Sequence, residues 1–134
     1  MHASVIAAVQ HCHEGAEADK MTFPQILQAL NAVGIEGYIV DYRRSTKTCY
    51  QPDGESLELG FAPLGVDIAA AFDAAAVKAA ILEAQTYAPG YTYHGFGRKV
   101  MAAGCAGYIV SILGRRVVYF GRTGDTHVEL FPAP

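Results

Sequence analysis

The sequence predicts an α+β fold, in which a helix–helix–β-meander unit is duplicated and the helices pack on one face of a mostly antiparallel sheet. Three observations lead to this fold class. The chain matches itself at a shift of seventy positions, apolar residues follow helical spacing ahead of a glycine in each copy, and they alternate with a period of two after it. The 134 residues are therefore expected to form a single domain of two repeats (about 1–60 and 71–131) joined by an ordered connector, 60–71.

The self-match is an ordered series of cap, strand and turn residues. Its strongest block pairs residues 37–40 with 107–110, each of which reads Gly-Tyr-Ile-Val. Aligning residues 57–59 with 128–130 takes one extra residue in the second copy. Two copies are too few for a solenoid, so the pattern favours a closed domain with a pseudo-twofold axis. The other matching pairs are Thr22 with Thr92, Gly34 with Gly104 and Gly54 with Gly124.

Four helices are predicted from caps and apolar spacing. Thr22 and Gln25 have the spacing of a capping box, and Thr92 caps the matching helix without one. A glycine ends each of these two helices, because glycine adopts the left-handed conformation without strain. Two further helices precede them, over residues 4–14 and over 74–86, the second with Asp73 as its N-cap.

A three-stranded meander is predicted after the second helix of each copy. Tyr38, Val40 and Tyr42 alternate with more polar positions, which indicates a strand with one buried face. The matching strand, over residues 108–113, is apolar on both faces and is therefore expected in the middle of the sheet. Gly114-Arg115 is a predicted hairpin turn.

The caps, turns and strand blocks resemble those of the YdfO-like family, small proteins often labelled "phage envelope protein" and encoded in bacterial genomes and prophages. The resemblance covers nearly the whole chain, and its motifs are structural rather than chemical. It implies the fold, and it implies a family of unknown function that supplies no catalytic residues. It rests on Thr22-Phe23-Pro24, the two Gly-Tyr-Ile-Val blocks, Asp53-Gly54-Glu55 and residues 121–127, Gly-Arg-Thr-Gly-Asp-Thr-His.

Composition narrows the functional classes. The net charge is −3, with five basic against eleven acidic residues over 1–91 and five against two over 92–134. The chain has no global basic field, which disfavours a nucleic-acid partner. The three cysteines lack the spacing of a disulfide framework, no signal peptide or membrane span is recognised, and a cytoplasmic location is expected.

No metal site or cofactor is predicted. His11, Cys12 and His13 lie next to one another, but residues one or two apart on a helix point in different directions and cannot converge on one ion. Zinc needs four ligands, and no companion pair occurs. Cys12 is expected to be half-buried, with both histidines exposed.

The tyrosines are the main candidates for a recognition surface. The chain has eight tyrosines and no tryptophan. Tyrosines at equivalent strand positions are predicted to line a groove on the pseudo-twofold axis, with arginines at its rim, because aromatic residues and arginine are typical of binding surfaces. Tyrosine is also simply favoured in strands, so an ordinary sheet edge stays open as the alternative. The predicted ligand-binding residues are Tyr38, Tyr42, Tyr108, Tyr119, Arg115 and His127, and further rim arginines are Arg43, Arg116 and Arg122.

Two functional hypotheses follow. The first is a binding or regulatory module that uses the sheet face or the cleft between the repeats for a small ligand or a protein partner, and a homodimer stays open. The second is a small enzyme with a site between the repeats, which uses His127 or His94 with Asp41 or Glu129. A thiol nucleophile at Cys49 or Cys105 is disfavoured, because Cys105 replaces an apolar residue of the first copy and Cys49 is expected on a strand position of mixed exposure.

Overall fold

The structure, a computed structural model, describes residues 1–132. It contains four helices and one six-stranded antiparallel sheet, which confirms the predicted α+β class. No helix in this part of the chain is long and apolar enough to cross a membrane. In chain order the elements are α1 (Ala3–Glu17), α2 (Phe23–Ala32), β1 (Gly37–Asp41), β2 (Thr46–Tyr50), β3 (Ser56–Gly60), α3 (Ala74–Thr86), α4 (Tyr93–Ala102), β4 (Cys105–Ser111), β5 (Arg116–Gly121) and β6 (Thr126–Leu130).

Side-chain caps fix the start of three helices, as the sequence predicts. The Gln25 backbone N–H donates to the Thr22 hydroxyl at 3.2 Å, and the Thr22 N–H donates to the Gln25 side chain at 2.9 Å, so the capping box of α2 is complete. At α4 and α3 the side chains of Thr92 and Asp73 each accept from the backbone N–H three residues on, at 2.9 and 3.0 Å. Each cap stabilises its helix by about 1 kcal/mol.

Helix α1 is longer than predicted. The sequence analysis places this helix over residues 4–14, which ends it just before Gly15. The helix instead continues to Glu17, since Ala16 is buried in the core, and the chain leaves it at Asp19, whose φ is 55°. The three additional residues place Glu17 one helical turn after His13, which matters for the site described below.

The sheet has the strand order β3-β2-β1-β4-β5-β6, with β1 and β4 paired at its centre. This order confirms the central position predicted for the second apolar strand. The β1–β4 ladder is centred on Ile39 opposite Ile109, two residues seventy positions apart. Each half therefore contributes a three-stranded meander, and the two third strands form the edges of the sheet.

The two meanders have the same register without any insertion. Cys49 lies opposite Leu57, and Tyr119 lies opposite His127. The extra residue predicted in the second copy is therefore wrong, and His127 occupies the place that Leu57 has in the first half. The shared order of elements agrees with the predicted repeat, while its origin by duplication and the single-domain organisation stay predictions.

The helices cover one face of the sheet. Tyr38 and Val40 on β1 and Tyr108 and Val110 on β4 are buried on this inner face, and all four belong to the hydrophobic core. Residues at the alternate positions point to the other face, which is open. The open face exposes large apolar side chains at Ile109, Val128 and Leu130.

The segment between β3 and α3 contains neither helix nor strand, but backbone hydrogen bonds hold it along its length. At its start the Phe61 N–H donates to the Ser45 carbonyl at 3.0 Å. Nearer its end, the N–H groups of Ala69 and Asp73 donate at 3.1 and 2.8 Å to carbonyls at the end of α4. This segment, residues 61–73, is called the connector below.

Candidate functional site

The four predicted tyrosines come together, but inside the protein. Tyr38, Tyr42, Tyr108 and Tyr119 are all buried on the inner face, with ring centroids 6.1 Å apart for Tyr42–Tyr108 and 5.4 Å for Tyr108–Tyr119. Burial raises the pKa of each of them well above its usual value, so the hydroxyls are neutral at physiological pH. These hydroxyls belong to the core beneath the helices, and the open sheet face carries none of the four.

His127 lies at the end of this aromatic row and contacts an acidic residue. Its Nε2 is 2.9 Å from Oε2 of Glu129, and its ring centroid is 6.4 Å from that of Tyr119. The sequence predicts this pairing, because the two residues are on the same face of β6. The pair stands at one edge of the sheet, where the first half has Leu57 and Leu59 instead.

The predicted arginines do not surround the tyrosines. Arg115 lies in the β4–β5 turn, where it donates to the Pro132 carbonyl at 3.1 Å and packs over the ring of Phe131 at 5.7 Å. Arg122 donates to the Ile68 carbonyl at 3.1 Å. The remaining two, Arg43 and Arg116, are exposed.

Two histidines and one glutamate from α1 and α4 lie close together, a grouping that the sequence analysis did not predict. His94 Nε2 is 2.5 Å from Oε2 of Glu17, and His13 Nε2 is 3.8 Å from Oε1 of the same carboxylate. The predicted partners of His94, Asp41 and Glu129, are therefore wrong. Glu129 contacts His127 instead, and Asp41 accepts from two backbone N–H groups of its own turn. The three residues His13, Glu17 and His94 are called the His–Glu–His cluster.

A backbone contact brings the two helices of this cluster together. The Tyr93 N–H, at the first position of α4, donates to the Asp19 carboxylate at 2.8 Å. A carboxylate is stabilising there, because the first N–H groups of a helix lack partners within the helix. Asp19 lies two residues after the end of α1, so this hydrogen bond holds Glu17 close to His94.

His13 is half-buried rather than exposed as predicted, and its Nδ1 is buried without a hydrogen-bond partner among residues 1–132. Burial is the main cause that lowers the pKa of His13, and the charge of Lys47 lowers it further. The carboxylates of Glu17 and Glu14 and the Gly60 carbonyl act in the opposite direction. The lowered pKa makes the neutral imidazole the main form of His13 near pH 7.

Lys47 is the one charged residue in the core of the described chain, with 5% of its surface exposed. It occupies an inward position on β2, directly opposite Val40. Its Nζ is 5.3 Å from the ring centroid of Tyr38 and 5.4 Å from that of Tyr93. Within residues 1–132 neither an ion pair nor a hydrogen bond joins this Nζ to another residue.

The ammonium group keeps contact with water although most of the side chain is buried. The fully buried polar side-chain atoms without a partner within residues 1–132 are His13 Nδ1 and Gln51 Oε1, and the Lys47 nitrogen is not one of them. Cation–π contacts of an ammonium group that stays hydrated contribute about 0.5–1 kcal/mol each. The aliphatic part of Lys47 therefore packs in the core while its charge reaches solvent.

Two adjoining hollows lie beside these residues. The depression is open, has a volume of about 460 Å³, and is bounded by α1, the end of β3 and the start of the connector. The crevice is narrow, about 20 Å³, which is room for a single water molecule. Glu17 and Phe61 border both. The depression is lined by His13, Glu14, Glu17, Ala18, Gly60 and Phe61, and the crevice by Glu17, Val40, Tyr42, Phe61, Leu64, Tyr93, His94 and Gly97.

The cysteines do not provide a reactive thiol. Cys12, Cys49 and Cys105 are all unpaired and buried, so the half-buried position expected for Cys12 and the mixed exposure expected for Cys49 are corrected. Burial raises the pKa of Cys49 and of Cys105 to about 11 and raises that of Cys12 as well. In the described part of the chain, no three His, Cys, Asp or Glu side chains are arranged to hold a metal ion.

Signals for the overlooked residues were present in the sequence. His13 and Glu17 have the i, i+4 spacing that brings side chains together on a helix, but ending α1 at residue 14 hides it. Lys47 alternates in step with Cys49, so it shares the inward face of its strand. The contact between Glu17 and His94 could not be predicted, because it depends on how α1 and α4 pack.

The comparison with known proteins identifies a family but no chemistry for the site. A family model described as "Protein of unknown function (DUF1398)" matches residues 10–129, from the middle of α1 to the end of β6. None of the curated proteins matches the chain. The description of the family names no ligand, reaction or residue role, so the functional argument rests on the geometry of the site.

Proposed function

Since the chain belongs to the DUF1398 family of proteins of unknown function, we propose its function from the site itself: it is a binding module that holds a small ligand in the depression and the adjoining crevice. The finer YdfO-like relationship, with the bacterial or prophage origin that it implies, is kept as part of this proposal.

One observation carries the proposal. The His–Glu–His cluster lies where the depression meets the crevice, and His13 there has a buried nitrogen without a partner in the described chain. The imidazoles and the Glu17 carboxylate supply hydrogen-bond donors and acceptors at the walls of both hollows. The volume of about 460 Å³ is within the range of small-molecule sites.

The asymmetry of the two halves supports the same conclusion. The positions seventy residues after His13, Glu17 and Lys47 are Glu83, Tyr87 and Val117, and the position seventy before His94 is Pro24. The polar cluster therefore has no counterpart in the other half. A role in folding alone would not require it, since the equivalent place is filled without it.

A thermal-shift screen against a metabolite library tests the proposal. A ligand at a hundred times its dissociation constant should add about 2.7 kcal/mol to the free energy of unfolding. The Gly97→Ala variant should reduce that shift, because Gly97 lines the crevice and a Cβ at residue 97 would stand 2.6 Å from Leu64 Cδ1 and 3.4 Å from the Tyr42 hydroxyl. Alanine also favours a helix over glycine by about 1 kcal/mol, so the variant should fold.

Gly114→Ala is the matched control. It makes the same chemical change in the β4–β5 turn, where a Cβ would meet the Ser111 side chain at 3.0 Å. This turn and the depression lie towards opposite ends of β1. Ser111 pairs with Gly37 at the start of β1, whereas Gly60, which lines the depression, is in register with Thr46 and Asp41 at the end of β1. A ligand that gives the same thermal shift in both variants and in the parent protein would bind elsewhere. A library without any stabilising compound would contradict the proposal.

A small enzyme is the second candidate. The observation that favours it is the contact of each of two histidines with a carboxylate, His94 with Glu17 and His127 with Glu129. Such pairs supply a general base when the imidazole is neutral. Turnover of ester or phosphoester substrates that is lost in His94→Gln or His127→Gln, with folding retained, would support this function over simple binding.

A further inference from the structure

Two polar contacts join the end of α1 to the start of α4. The Asp19 carboxylate accepts from the Tyr93 N–H at 2.8 Å, and Glu17 Oε2 is 2.5 Å from His94 Nε2. Asp19 is exposed and Glu17 is half-buried, so water competes for both carboxylates. These four residues, Glu17, Asp19, Tyr93 and His94, are called the α1–α4 joint.

Glycines weaken the start of α4 at this joint. Gly95 and Gly97 lie within the first two turns of the helix, and glycine disfavours a helix because it loses more backbone freedom on folding than any other residue. The buried side chains of α4, Val100 and Met101, lie beyond these glycines. The first residues of the helix can therefore detach from α1 while the rest of it stays packed.

His13 places a second imidazole against the same carboxylate. Its Nε2 is 3.8 Å from Oε1 of Glu17, which lies one helical turn further along α1. Histidine is the side chain that ordinarily changes charge between about pH 5 and pH 8. The groups that face His13 are Glu14 and Glu17 of α1, Lys47 of β2, the Gly60 carbonyl of β3, and His94 of α4, which shares Glu17 with it.

We propose that the α1–α4 joint is opened by a proton: when His13 becomes an imidazolium it pairs with Glu17 in place of His94, and the first turn of α4 separates from α1. One carboxylate neutralises one imidazolium, so two charged histidines at Glu17 repel each other. The charge of Lys47 adds to this repulsion at His13. The pair of His13 with Glu17 lies within one helix and survives the separation, whereas His94 leaves with α4.

The opening would change the shape of both hollows. Glu17 borders the depression and the crevice, and Tyr93 and His94 line the crevice. Separation of α4 from α1 would therefore widen the crevice towards the depression. The inference concerns the two helices alone, and it holds whether or not a ligand occupies the hollows.

The direction of the pH dependence follows from His13. Burial and the charge of Lys47 lower the pKa of His13 in the closed joint. Opening exposes the imidazole to water and frees Glu17 for it, which moves the pKa of His13 back towards its ordinary value of about 6.5. The closed joint is therefore favoured above about pH 6.5, and the open joint gains as the pH falls from there towards the lowered pKa.

Backbone amide hydrogen exchange, followed by NMR on the protein without ligand, tests this inference. The Tyr93 amide reports the joint, because it donates to Asp19. Opening takes up one proton, so after correction for intrinsic exchange the Tyr93 amide should exchange up to about tenfold faster for each pH unit of acidification below about pH 6.5. Low concentrations of urea should leave its exchange rate unchanged, because a local opening exposes little surface.

His13→Gln should abolish the acid-induced acceleration at Tyr93. His11→Gln, which replaces an exposed histidine of the same helix, is the matched control and should retain it. An acceleration that persists in His13→Gln would overturn the inference. So would exchange at Tyr93 that, in the parent protein, does not accelerate in acid or that rises with urea as steeply as exchange in the central strand β4, since that result would indicate global unfolding.

Discussion

Gly34 and Gly104 allow a quantitative test of how the connector is held. Both end a helix with a left-handed backbone, at φ of 85° and 95°, and they are seventy positions apart. Substitution by alanine costs about 1–2 kcal/mol at either position, because a Cβ is strained in this conformation. A Cβ at residue 34 would meet nothing within 4 Å. A Cβ at residue 104 would overlap the Ala71 carbonyl oxygen and stand 2.9 Å from Phe72 Cα.

The additional cost at Gly104 follows from what must move. The connector backbone would have to withdraw, which endangers the hydrogen bonds from Ala69 and Asp73 N–H, each worth about 1 kcal/mol. Overpacking of this kind adds about 1–3 kcal/mol. We therefore expect Gly104→Ala to lose about 2–5 kcal/mol and Gly34→Ala about 1–2 kcal/mol in urea unfolding. Equal losses in the two variants would refute the packing of the connector against the end of α4.

Three further predictions concern the titration, the thiols and the organisation of the chain. The free energy of unfolding should fall as the pH drops from the ordinary histidine pKa of 6.5 towards the lowered pKa of His13, because the unfolded chain binds the proton first. His13→Gln should flatten this pH dependence in urea titrations, and an unchanged slope would contradict the lowered pKa of His13. The thiols of Cys49 and Cys105, with pKa values of about 11, should resist a disulfide reagent at mildly alkaline pH until the protein is denatured, so rapid modification of the folded protein would contradict their burial. The fragments 1–70 and 71–134 should each lack a cooperative thermal transition by circular dichroism, because separation exposes the central β1–β4 pairing, and independent folding of either would contradict the single-domain prediction.

The fold was largely predictable because its signals are local. The capping box at Thr22 and Gln25, the glycine stops and the alternation of Tyr38 and Val40 depend on residues within a few positions of one another. Local rules failed where packing overrides propensity. Ala16 keeps α1 helical past Gly15 because its burial in the core outweighs the weak helix propensity of glycine.

The site was less predictable because it is assembled from distant segments. His94 contacts Glu17 across seventy-seven positions of sequence, through the packing of α1 against the start of α4. Tyr38, Tyr108 and Tyr119 lie on strands as predicted, whereas Tyr42, also predicted on a strand, lies in the turn directly after β1. Their side of the sheet could not be predicted, because it depends on which face the helices cover. Lys47 was not singled out from the sequence, although it alternates in step with Cys49, and the register shows that it lies on the inward face of β2.

The position of a bound ligand tests the central claim most directly. The most strongly stabilising compound from the screen should be titrated into ¹⁵N-labelled protein and its effect followed by backbone amide NMR. The account predicts that the largest shifts occur around the depression and crevice, at Glu17, Gly60 and His94. Shifts concentrated on the open sheet face, at Ile109 and Val128, would contradict it and would indicate a surface for partners instead.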